Sequence, residues 1–478
     1  MVKLFSFQSL ISIKATISPN AGDEIFIRVA GDEANELAGE MEQKKSSSSG
    51  PITSFDLIVI GAGPSGLFCA INSSHGTGMD KGERVDKRIL ILEKNNSPGR
   101  KLLISGSGQC NITHEGDIHS FLNHYGDHGR LLRPAILGFT NRDIISYFET
   151  KGLEMEIEPE GKVFPQTRRS RDVLDILLAE CRKAGIEIVC QSAVRSVEKS
   201  RDGFALSCEG CEYRSPLLVI ATGGCSYPAT GSTGDGYRFA RSLGHSLADI
   251  GPALTPLMIK EHPFSDLAGI SFEDMKISLQ HQEKKVEMQG DVLFTHDGLS
   301  GPAILDLSRH VRSGDTLRLS FVPREKRDAL ERWMLELSRQ EGGRTVKSIL
   351  SSIPCSLPLP PRLCQRILEI CRIQSDMKIS HLRREERMLL IDSLVGLPLV
   401  ISNLGGFDLA MVTRGGVNWK EINPKTMQSR LVPGLYITGE VIDVDGDTGG
   451  YNLQSCFSTA MLASRSIRKN WDNRNISS

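Results

Sequence analysis

The hydrophobic pattern at residues 55–74, FDLIVIGAGPSGLFCAINSS, predicts a buried strand, a tight glycine turn and a helix in succession. No charged residue follows Asp56 in this stretch, which is typical of a strand buried on both faces of a parallel sheet. A second apolar run, RILILEK at 88–94, predicts a neighbouring strand that ends in Glu93. These segments together predict an α/β fold with a parallel sheet.

The later segments extend this pattern. Residues 173–185 are predicted to form a helix, IEIVCQSAVRSVEKS (186–200) a strand, and LLVIATGG (217–224) a further buried strand. Beyond Gly251 shorter strand-like runs appear, and a charged helical segment, interrupted by IPCSLPLPP, covers 325–393. VPGLYITGE is predicted as a last parallel strand. The simplest arrangement is a doubly wound parallel sheet that is split in sequence by an inserted domain.

Changes in composition predict the division of the chain. Residues 31–50 are polar, end in a run of serines and are typical of a disordered linker. The first 22 residues contain two lysines and no acidic residue, so they resemble an organellar transit peptide or form a flexible extension. The predicted divisions are 1–52 for the N-terminal extension and linker, 53–250 for the first part of the sheet domain, 251–412 for the inserted domain, and 413–478 for the C-terminal part of the sheet domain.

Composition and charge narrow the class of protein. The chain has 478 residues, of which 39% are hydrophobic and 24% charged, as is ordinary for a globular protein with a large core. Its formal net charge is −1 and both signs are interspersed, which argues against binding to nucleic acid or to an anionic membrane. No apolar run reaches the roughly 18 residues of a membrane span.

The cysteines and histidines suggest neither a disulfide framework nor a metal site. Eleven scattered cysteines favour a reducing compartment, either the cytoplasm or, with a transit peptide, a plastid or mitochondrion. The single CxxC, Cys208 to Cys211, has no second pair at zinc spacing and is predicted to be a turn. Four histidines between 114 and 128 match no ligand template.

Gly61, Gly63 and Gly66 form a G-x-G-x-x-G motif in the strand–turn–helix context that gives it meaning. The first glycine allows the turn, the second lets the backbone approach a pyrophosphate, and the third lets the helix pack on the strand. The helix N-terminus then favours the phosphate charge. Glu93, at the end of the next strand, can accept hydrogen bonds from ribose hydroxyls, so a dinucleotide site is predicted.

A second glycine-rich segment, GEVIDVDGDTGGYNL at 439–453, raises a choice between a calcium loop and a loop over a ligand. Asp443, Asp445 and Asp447 have EF-hand spacing, but position 6 is Thr448 and position 12 is Gln454, so the turn glycine and the chelating glutamate are missing. A solvated acidic turn is one alternative, and backbone brought close to a ligand is the other.

Five further blocks share their sequence with a known family. They are GRKLLISGSGQCNITH (99–114), GKVFPQTRRSRDVLDILL (161–178), ATGGCSYPATGSTGDGYRFARSLGH (221–245), LFTHDGLSGPAILDLS (293–308) and NPKTMQSRLVPGLYITGEVIDVDGDTGGYNLQ (423–454). With the glycine motif and Glu93 they resemble the BaiN-like (YhiN-type) family of FAD-dependent oxidoreductases, from about residue 54 to 468. One departure is Gln109, where the family segment is expected to carry Arg.

The resemblance implies non-covalent FAD on a Rossmann-type domain, with an inserted β-barrel that carries the helical subdomain. The glycine-rich loop at 439–453 then covers the cofactor, and the helix that begins near Asn452 directs its positive end at the flavin ring. The aspartates serve turns and ribityl hydroxyls. The predicted FAD contacts are Gly61, Ala62, Gly63, Pro64, Ser65, Gly66, Glu93, Lys94, Arg100, Lys101, Gly108, Asn111, Val194, Thr222, Gly223, Gly439, Glu440, Gly449, Gly450, Tyr451, Asn452 and Leu453.

The predicted function is the reduction of a small or medium apolar enone or carbonyl compound with NAD(P)H. No second strand–GxGxxG–helix unit is present, so nicotinamide is expected to dock over the flavin from the side of the insert. Cys110 stands without the second cysteine of a disulfide reductase. Tyr227 and His296 are weak candidates for a proton donor.

Two other functions stay open: an oxidase of an amine-like substrate, and a flavoprotein that binds a macromolecule such as RNA. Neutral charge and the lack of a basic aromatic platform argue against RNA. The sequence does not indicate the oligomeric state.

Overall fold

The computed structural model describes residues 52–74, 87–281, 284–354 and 359–476. The predicted transit peptide and the linker at 31–50 lie outside these ranges. Within them, no helix is long and apolar enough to cross a membrane.

The strands of the described residues are short except in the insert. In chain order they are β1 (Ile52–Ser54), β2 (Leu57–Ile60), β3 (Ile89–Leu92), β4 (Thr113–His114), β5 (Met155–Ile157), β6 (Lys162–Pro165), β7 (Glu187–Val189), β8 (Ser196–Lys199), β9 (Phe204–Cys208), β10 (Cys211–Ser215), β11 (Leu218–Ile220), β12 (Gly251–Ala253), β13 (Leu257–Ile259), β14 (Ser271–His281), β15 (Lys284–Phe294), β16 (Gly298–Ser300), β17 (Thr316–Ser320), β18 (Leu397–Leu404), β19 (Val412–Arg414) and β20 (Leu435–Ile437).

The α-helices of the described residues range from one turn to the long C-terminal helix. They are α1 (Pro64–Ser73), α2 (Arg100–Ile104), α3 (Gly129–Gly138), α4 (Asn141–Glu149), α5 (Ser170–Lys183), α6 (Asp235–Ser242), α7 (Pro302–Leu307), α8 (Arg327–Gln340), α9 (Val346–Leu350), α10 (Pro361–Ile370), α11 (Arg384–Gly396) and α12 (Tyr451–Ile476).

A five-stranded parallel sheet of order β20-β11-β2-β3-β7 forms the centre of the nucleotide domain. Leu57 lies opposite Ile89, and Leu218 lies opposite both Ile58 and Leu435, so the apolar runs of the sequence become neighbouring buried strands. Helices α1 and α12 pack against each other. The predicted Rossmann-type fold is confirmed, including VPGLYITGE as a parallel strand.

The prediction of one strand over 186–200 was wrong. Strand β7 joins the parallel sheet, whereas β8 belongs to a second sheet of order β1-β10-β9-β8. The chain turns between them because Gln191 has a positive φ of 55° and its N–H donates to the Asn95 carbonyl. Cys208 and Cys211 face each other across the β9–β10 hairpin, as the predicted turn requires.

The insert is a closed barrel of order β13-β16-β15-β14-β17-β18. Four rings, Phe264, Phe272, Phe294 and Phe321, pack together inside it. Helices α8 to α11 occupy the predicted helical segment between β17 and β18. The antiparallel pair β12–β19, with Gly251 opposite Arg414, marks where the chain leaves the nucleotide domain and returns. We propose these residues as the boundaries of the insert.

Candidate functional site

A cavity of about 810 Å³ lies at the carboxyl ends of the parallel strands. Its lining residues follow β2, β3, β11 and β20 directly, as Gly61, Glu93, Thr222 and Gly439 show. Ligands of open α/β sheets bind at this edge. Leu254 and Leu305 of the insert line the cavity as well, so residues of the parallel-sheet domain and of the insert both form the site.

The three motif glycines have different surroundings. Gly61 has φ +104°, and a Cβ there would lie 2.5 Å from the Ala221 carbonyl oxygen. A Cβ on Gly66 would lie 2.0 Å from the Gly61 oxygen. Gly63 has no atom within 4 Å of an added Cβ, so this position opens into the cavity. The motif therefore shapes the turn at two positions and leaves room for a ligand at the third.

The N-terminus of α1 has the features of an anion-binding site. Gly63 is its N-cap, Pro64 occupies the first turn, and no side chain caps the free N–H groups. The Ser65 hydroxyl donates to the Thr438 hydroxyl at 2.9 Å, which ties the helix to the end of β20. Backbone donors and the helix dipole thus point toward the cavity.

Glu93 follows β3, the neighbour of β2, and connects two loops. One carboxylate oxygen accepts the Ala62 N–H at 3.0 Å, and the other accepts the Asn95 N–H at 2.9 Å. Carboxylate oxygens have further lone pairs, so Glu93 can still accept hydroxyls from a ligand.

The cations predicted for this site are mostly engaged by the protein. Lys94 pairs with Asp235 at 2.6 Å, and Lys101 pairs with Glu440 at 2.6 Å. Arg100 is exposed and donates to the Asn95 side chain at 3.2 Å.

Glu440 is held as a carboxylate by several donors. Its oxygens accept the Lys101 ammonium, the Ser226 hydroxyl at 2.9 Å and the Thr413 N–H at 2.9 Å. Burial opposes ionisation of this carboxyl, but Lys101 and the hydrogen bonds outweigh it, so the pKa of Glu440 lies below its usual range.

The acidic loop contacts basic side chains on two sides. Arg309 of the insert lies 3.1 Å from Asp445 and 2.8 Å from Asp447, ion-pair distances that do not have hydrogen-bond geometry. His124 lies 2.9 Å from Asp447, and His128 lies 3.4 Å from Asp443.

The sequence predicts that these aspartates serve turns and ribityl hydroxyls. Asp443 and Asp445 face these partners and do not line the cavity, so the prediction is corrected for these two residues. Only Asp447 lies on the cavity. In the described ranges no group of three or more His, Cys, Asp or Glu side chains is arranged to hold a metal.

The loop then turns at Thr448 and enters α12. Asp306 of α7 accepts the Thr448 N–H at 2.7 Å and the Thr448 hydroxyl at 3.1 Å. Burial raises the pKa of Asp306 to about 6. With its amide nitrogen turned toward the Val163 and Thr113 carbonyls, Asn111 accepts the Gly450 N–H at 3.2 Å. The backbone that precedes α12 is thus fixed by both domains.

Most of the predicted contact residues line this one cavity. They are Gly61, Gly63, Pro64, Ser65, Glu93, Lys94, Arg100, Lys101, Asn111, Val194, Thr222, Gly223, Gly439, Glu440, Gly449, Gly450, Asn452 and Leu453, together with Tyr227. Four predicted contact residues, Ala62, Gly66, Gly108 and Tyr451, do not line the cavity. Tyr451 stacks on His124 with ring centroids 4.0 Å apart.

The structure does not bring His296 to the cavity. This side chain is exposed in the turn between β15 and β16 of the barrel, and it is absent from the cavity lining. Tyr227 is half-buried and does line it.

Sequence reasoning missed several residues that line or support the cavity. Thr448 was considered only as a failed calcium ligand, and Asp306 lay unnoticed in the block that supplied His296. Ile104, Leu305 and Met411 also line the cavity. Their apolar type is the only signal in the sequence, and it does not distinguish them from core residues.

The cavity fits FAD: an uncapped helix N-terminus faces it beside an open glycine, a carboxylate lies at the ribose end, and a second helix begins at its glycine loop. A family model, the HI0933-like protein Rossmann domain, matches residues 55–466. The chain belongs to the HI0933-like family. This is a family of FAD-dependent oxidoreductases, which confirms the resemblance at that level.

Curated relatives match nearly the whole HI0933-like region. A 3-dehydro-bile acid delta(4,6)-reductase of Clostridium scindens is 30% identical over 413 residues, which cover 85% of this chain and 97% of the relative. A ribosomal RNA dihydrouridine synthase of Escherichia coli is 30% identical over 423 residues, covering 86% and 98%. Among solved structures, a 3-ketosteroid-delta4-(5alpha)-dehydrogenase of Rhodococcus jostii is 13% identical with a TM-score of 0.44, covering 87% of this chain and 97% of the other.

Proposed function

We propose that this chain is an FAD-dependent reductase that uses NAD(P)H to saturate a carbon–carbon double bond conjugated to a carbonyl group. The observation that carries this proposal is the shared cavity, which offers an anion-binding glycine turn at one end and an apolar wall from the insert near the other. When bound there, FAD would supply the two-electron chemistry.

The chain's own residues position the cofactor. Gly61, Gly63 and the N-terminus of α1 would receive the pyrophosphate, and Glu93 would accept the ribose hydroxyls. Gly449 would bring its backbone N–H, and the loop the start of α12, to the polar edge of the ring, where the helix dipole favours negative charge. Lys101 and Glu440 neutralise each other and do not add net charge to the site.

The substrate side of the cavity is apolar. Leu254, Leu305 and Val412 are buried there, while Ile104 and Met411 line it with 42% and 44% of their surface exposed. Exposed apolar side chains beside a cavity are typical of a binding surface for an apolar ligand. They support a hydrophobic ring compound as the substrate.

The names of the relatives support the reaction type. A 3-dehydro bile acid with a delta(4,6) diene carries double bonds conjugated to its ketone, and the uracil ring carries a double bond conjugated to a carbonyl group. In each compound the carbonyl oxygen stabilises the charge that develops when a hydride reaches the far carbon. The same reaction, hydride addition to a double bond conjugated to a carbonyl group, therefore accounts for both substrate classes.

Reduction of uridine in RNA is a second candidate, favoured by the E. coli relative and by a Haemophilus influenzae relative of the same name that is 29% identical. Against it, three of the cavity cations, Lys94, Lys101 and Lys162, are already paired with carboxylates, while Arg100 is exposed. The chain's net charge is −1, which gives little attraction to a polyanion.

The oxidative half-reaction decides between these functions. The purified protein is reduced with dithionite without oxygen and mixed separately with 4-androstene-3,17-dione, with an unmodified ribosomal RNA transcript, or with dissolved oxygen. Fast return of the flavin absorbance with the steroid, and formation of its saturated ketone, is the expected result. Fast reoxidation by RNA alone would establish the second candidate, and by oxygen alone an oxidase.

A further inference from the structure

Asp306 and Thr448 form a polar pair where the insert meets the cavity. Thr448 lines the cavity, whereas Asp306 lies behind it on α7. Both Asp306 oxygens are occupied by Thr448, one by its N–H at 2.7 Å and the other by its hydroxyl at 3.1 Å. The cavity wall therefore contains Thr448, and the hydroxyl of this residue is hydrogen-bonded to a carboxyl behind the wall.

We propose that the Thr448 hydroxyl delivers the proton of the reduction to the substrate and that Asp306 resupplies it. This inference rests on the proposed function, because saturation of a conjugated double bond needs a hydride at one carbon and a proton at its neighbour. The proton donor must lie on the cavity surface and be hydrogen-bonded to a second group that can return a proton to it.

The direction of the hydrogen bond provides the switch. While Asp306 is ionised it can only accept, and the Thr448 O–H is directed at it and away from the substrate. Once Asp306 is protonated, its own O–H can donate to the Thr448 oxygen, and the Thr448 O–H is free to turn toward the cavity. Protonation of the buried carboxyl thus converts Thr448 into a donor for the substrate.

The groups around Asp306 keep the pKa of its carboxyl close enough to neutral pH for the protonated form to be populated. Burial raises its pKa, and Asp447 acts in the same direction, while the Thr448 N–H and hydroxyl and the Arg309 guanidinium lower it. Tyr451 also faces the carboxyl. The resulting pKa of about 6 is well placed for proton transfer.

The step balances without a further reactant. A hydride, supplied through FAD from NAD(P)H, forms a C–H bond at the carbon remote from the carbonyl, and the double bond breaks to leave an enolate. The enolate's electron pair takes the Thr448 proton and forms the second C–H bond. Thr448 takes the Asp306 proton, and the Asp306 carboxylate is reprotonated from water.

Two substitutions separate a proton-transfer role from a structural one. Asp306→Asn keeps an oxygen that can accept the Thr448 N–H but removes the titrating proton, and Thr448→Val removes the hydroxyl alone. Each is expected to slow reduction of 4-androstene-3,17-dione about a hundredfold, the usual effect of losing a general acid. Thr448→Ser, which keeps the hydroxyl, should retain most of the rate.

The pH profile and two measurements without substrate complete the test. The wild-type rate should fall as pH rises through about 6, and this fall should be absent in Asp306→Asn. The infrared signal of a protonated carboxyl that titrates in the same range should disappear in Asp306→Asn. FAD affinity should be unchanged in both variants.

If the wild type reduces the steroid and both variants show the wild-type rate and pH profile, this inference is overturned but the proposed function is not. A slower rate accompanied by an equal loss of FAD affinity would also overturn this inference alone, because the pair would then only hold the loop. Absence of reduction by the wild type would overturn the proposed function and this inference with it.

Discussion

At the scale of single residues, one glycine of the motif leaves space for a ligand, and another allows two backbone segments to pack closely. A Cβ on Gly63 points into open cavity, while one on Gly66 meets backbone at 2.0 Å. The motif predicts a different role for each of the three glycines, and these distances give the steric reason at Gly63 and Gly66.

Gly63→Val is expected to weaken FAD binding at least about tenfold, or 1.4 kcal/mol, because its side chain occupies the space in front of the helix N-terminus. The apoprotein should unfold at its normal urea concentration. Gly66→Val is the matched comparison, and it should destabilise the apoprotein itself. Fluorescence titration with FAD and urea unfolding measure the two effects, and equal stability losses in both variants would contradict this reasoning.

Lys101→Met is expected to destabilise the protein by about 3 kcal/mol, because it leaves the Glu440 carboxylate without its cation in a partly buried site. The double variant Lys101→Met/Glu440→Gln should recover part of this loss. Urea unfolding at pH 7 measures the stability of both variants. If Lys101→Met is at least as stable as Lys101→Met/Glu440→Gln, the ion pair does not stabilise the protein.

The same carboxylate should contribute to acid sensitivity. The folded pKa of Glu440 is depressed, so its contribution to stability is complete above the unfolded value of about 4.3 and is lost as pH falls through the lower folded value. Glu440→Gln should flatten the dependence of unfolding free energy on pH in this acid range, measured in urea. An unchanged slope would show that other carboxyls dominate.

At the scale of elements, the insert holds the loop that precedes α12. Arg309 is 9% exposed and lies between Asp445 and Asp447, and Asp306 fixes Thr448. The sequence could not reveal these contacts, because Arg309 and Asp445 are 136 positions apart and meet only after the barrel closes. The block that contains Asp445 was recognised and Arg309 directly follows the block 293–308, but the ion pair between the two residues was not predicted.

Arg309→Met is expected to speed FAD release at least about tenfold, because two carboxylates beside the cofactor loop lose their shared cation. Arg327→Met is the control in the same insert: its pair with Asp392 is exposed, and its loss should cost less than about 1 kcal/mol. Stopped-flow fluorescence follows the release of FAD. Equal release rates for Arg309→Met and wild type would refute the role given to this contact.

Local pattern predicted some elements well and failed at others for a physical reason. The strand at Leu57–Ile60 and the helix after it were readable because an apolar run, a glycine turn and a helix followed one another within 20 residues. The strand over 186–200 was misread because strand-favouring apolar residues stand on both sides of Gln191, where the backbone turns. A positive φ at a glutamine has no reliable sequence signal.

At the scale of the whole molecule, the described residues contain two large hydrophobic cores. One surrounds the parallel sheet, and the other fills the barrel and packs on its helices. The sequence predicted a split domain, while the barrel itself came from the family resemblance, because short strands carry too little pattern to show that a sheet closes. The cavity is lined mainly by the parallel-sheet domain, and Leu254, Leu305 and Val412 of the insert, which line it as well, belong to neither large core.

FAD should therefore stabilise the parallel-sheet core more than the insert. At a free concentration one hundred times its dissociation constant, it is expected to add about 2.7 kcal/mol to the unfolding free energy of the state that binds it. Calorimetry with and without FAD, followed by hydrogen exchange of β2 and β17, distinguishes the two cores. Equal protection of both strands would indicate that they unfold as one unit.

The central claim is that electrons pass from nicotinamide through FAD to a conjugated double bond, and anaerobic double-mixing stopped-flow tests it most directly. The FAD-loaded protein is mixed first with NADH or NADPH and then with 4-androstene-3,17-dione, while the flavin absorbance is followed. Rapid bleaching by at least one nucleotide, followed by recovery on mixing with the steroid, is the predicted result. Flavin that neither nucleotide bleaches, or that stays reduced in the presence of the steroid, would contradict it.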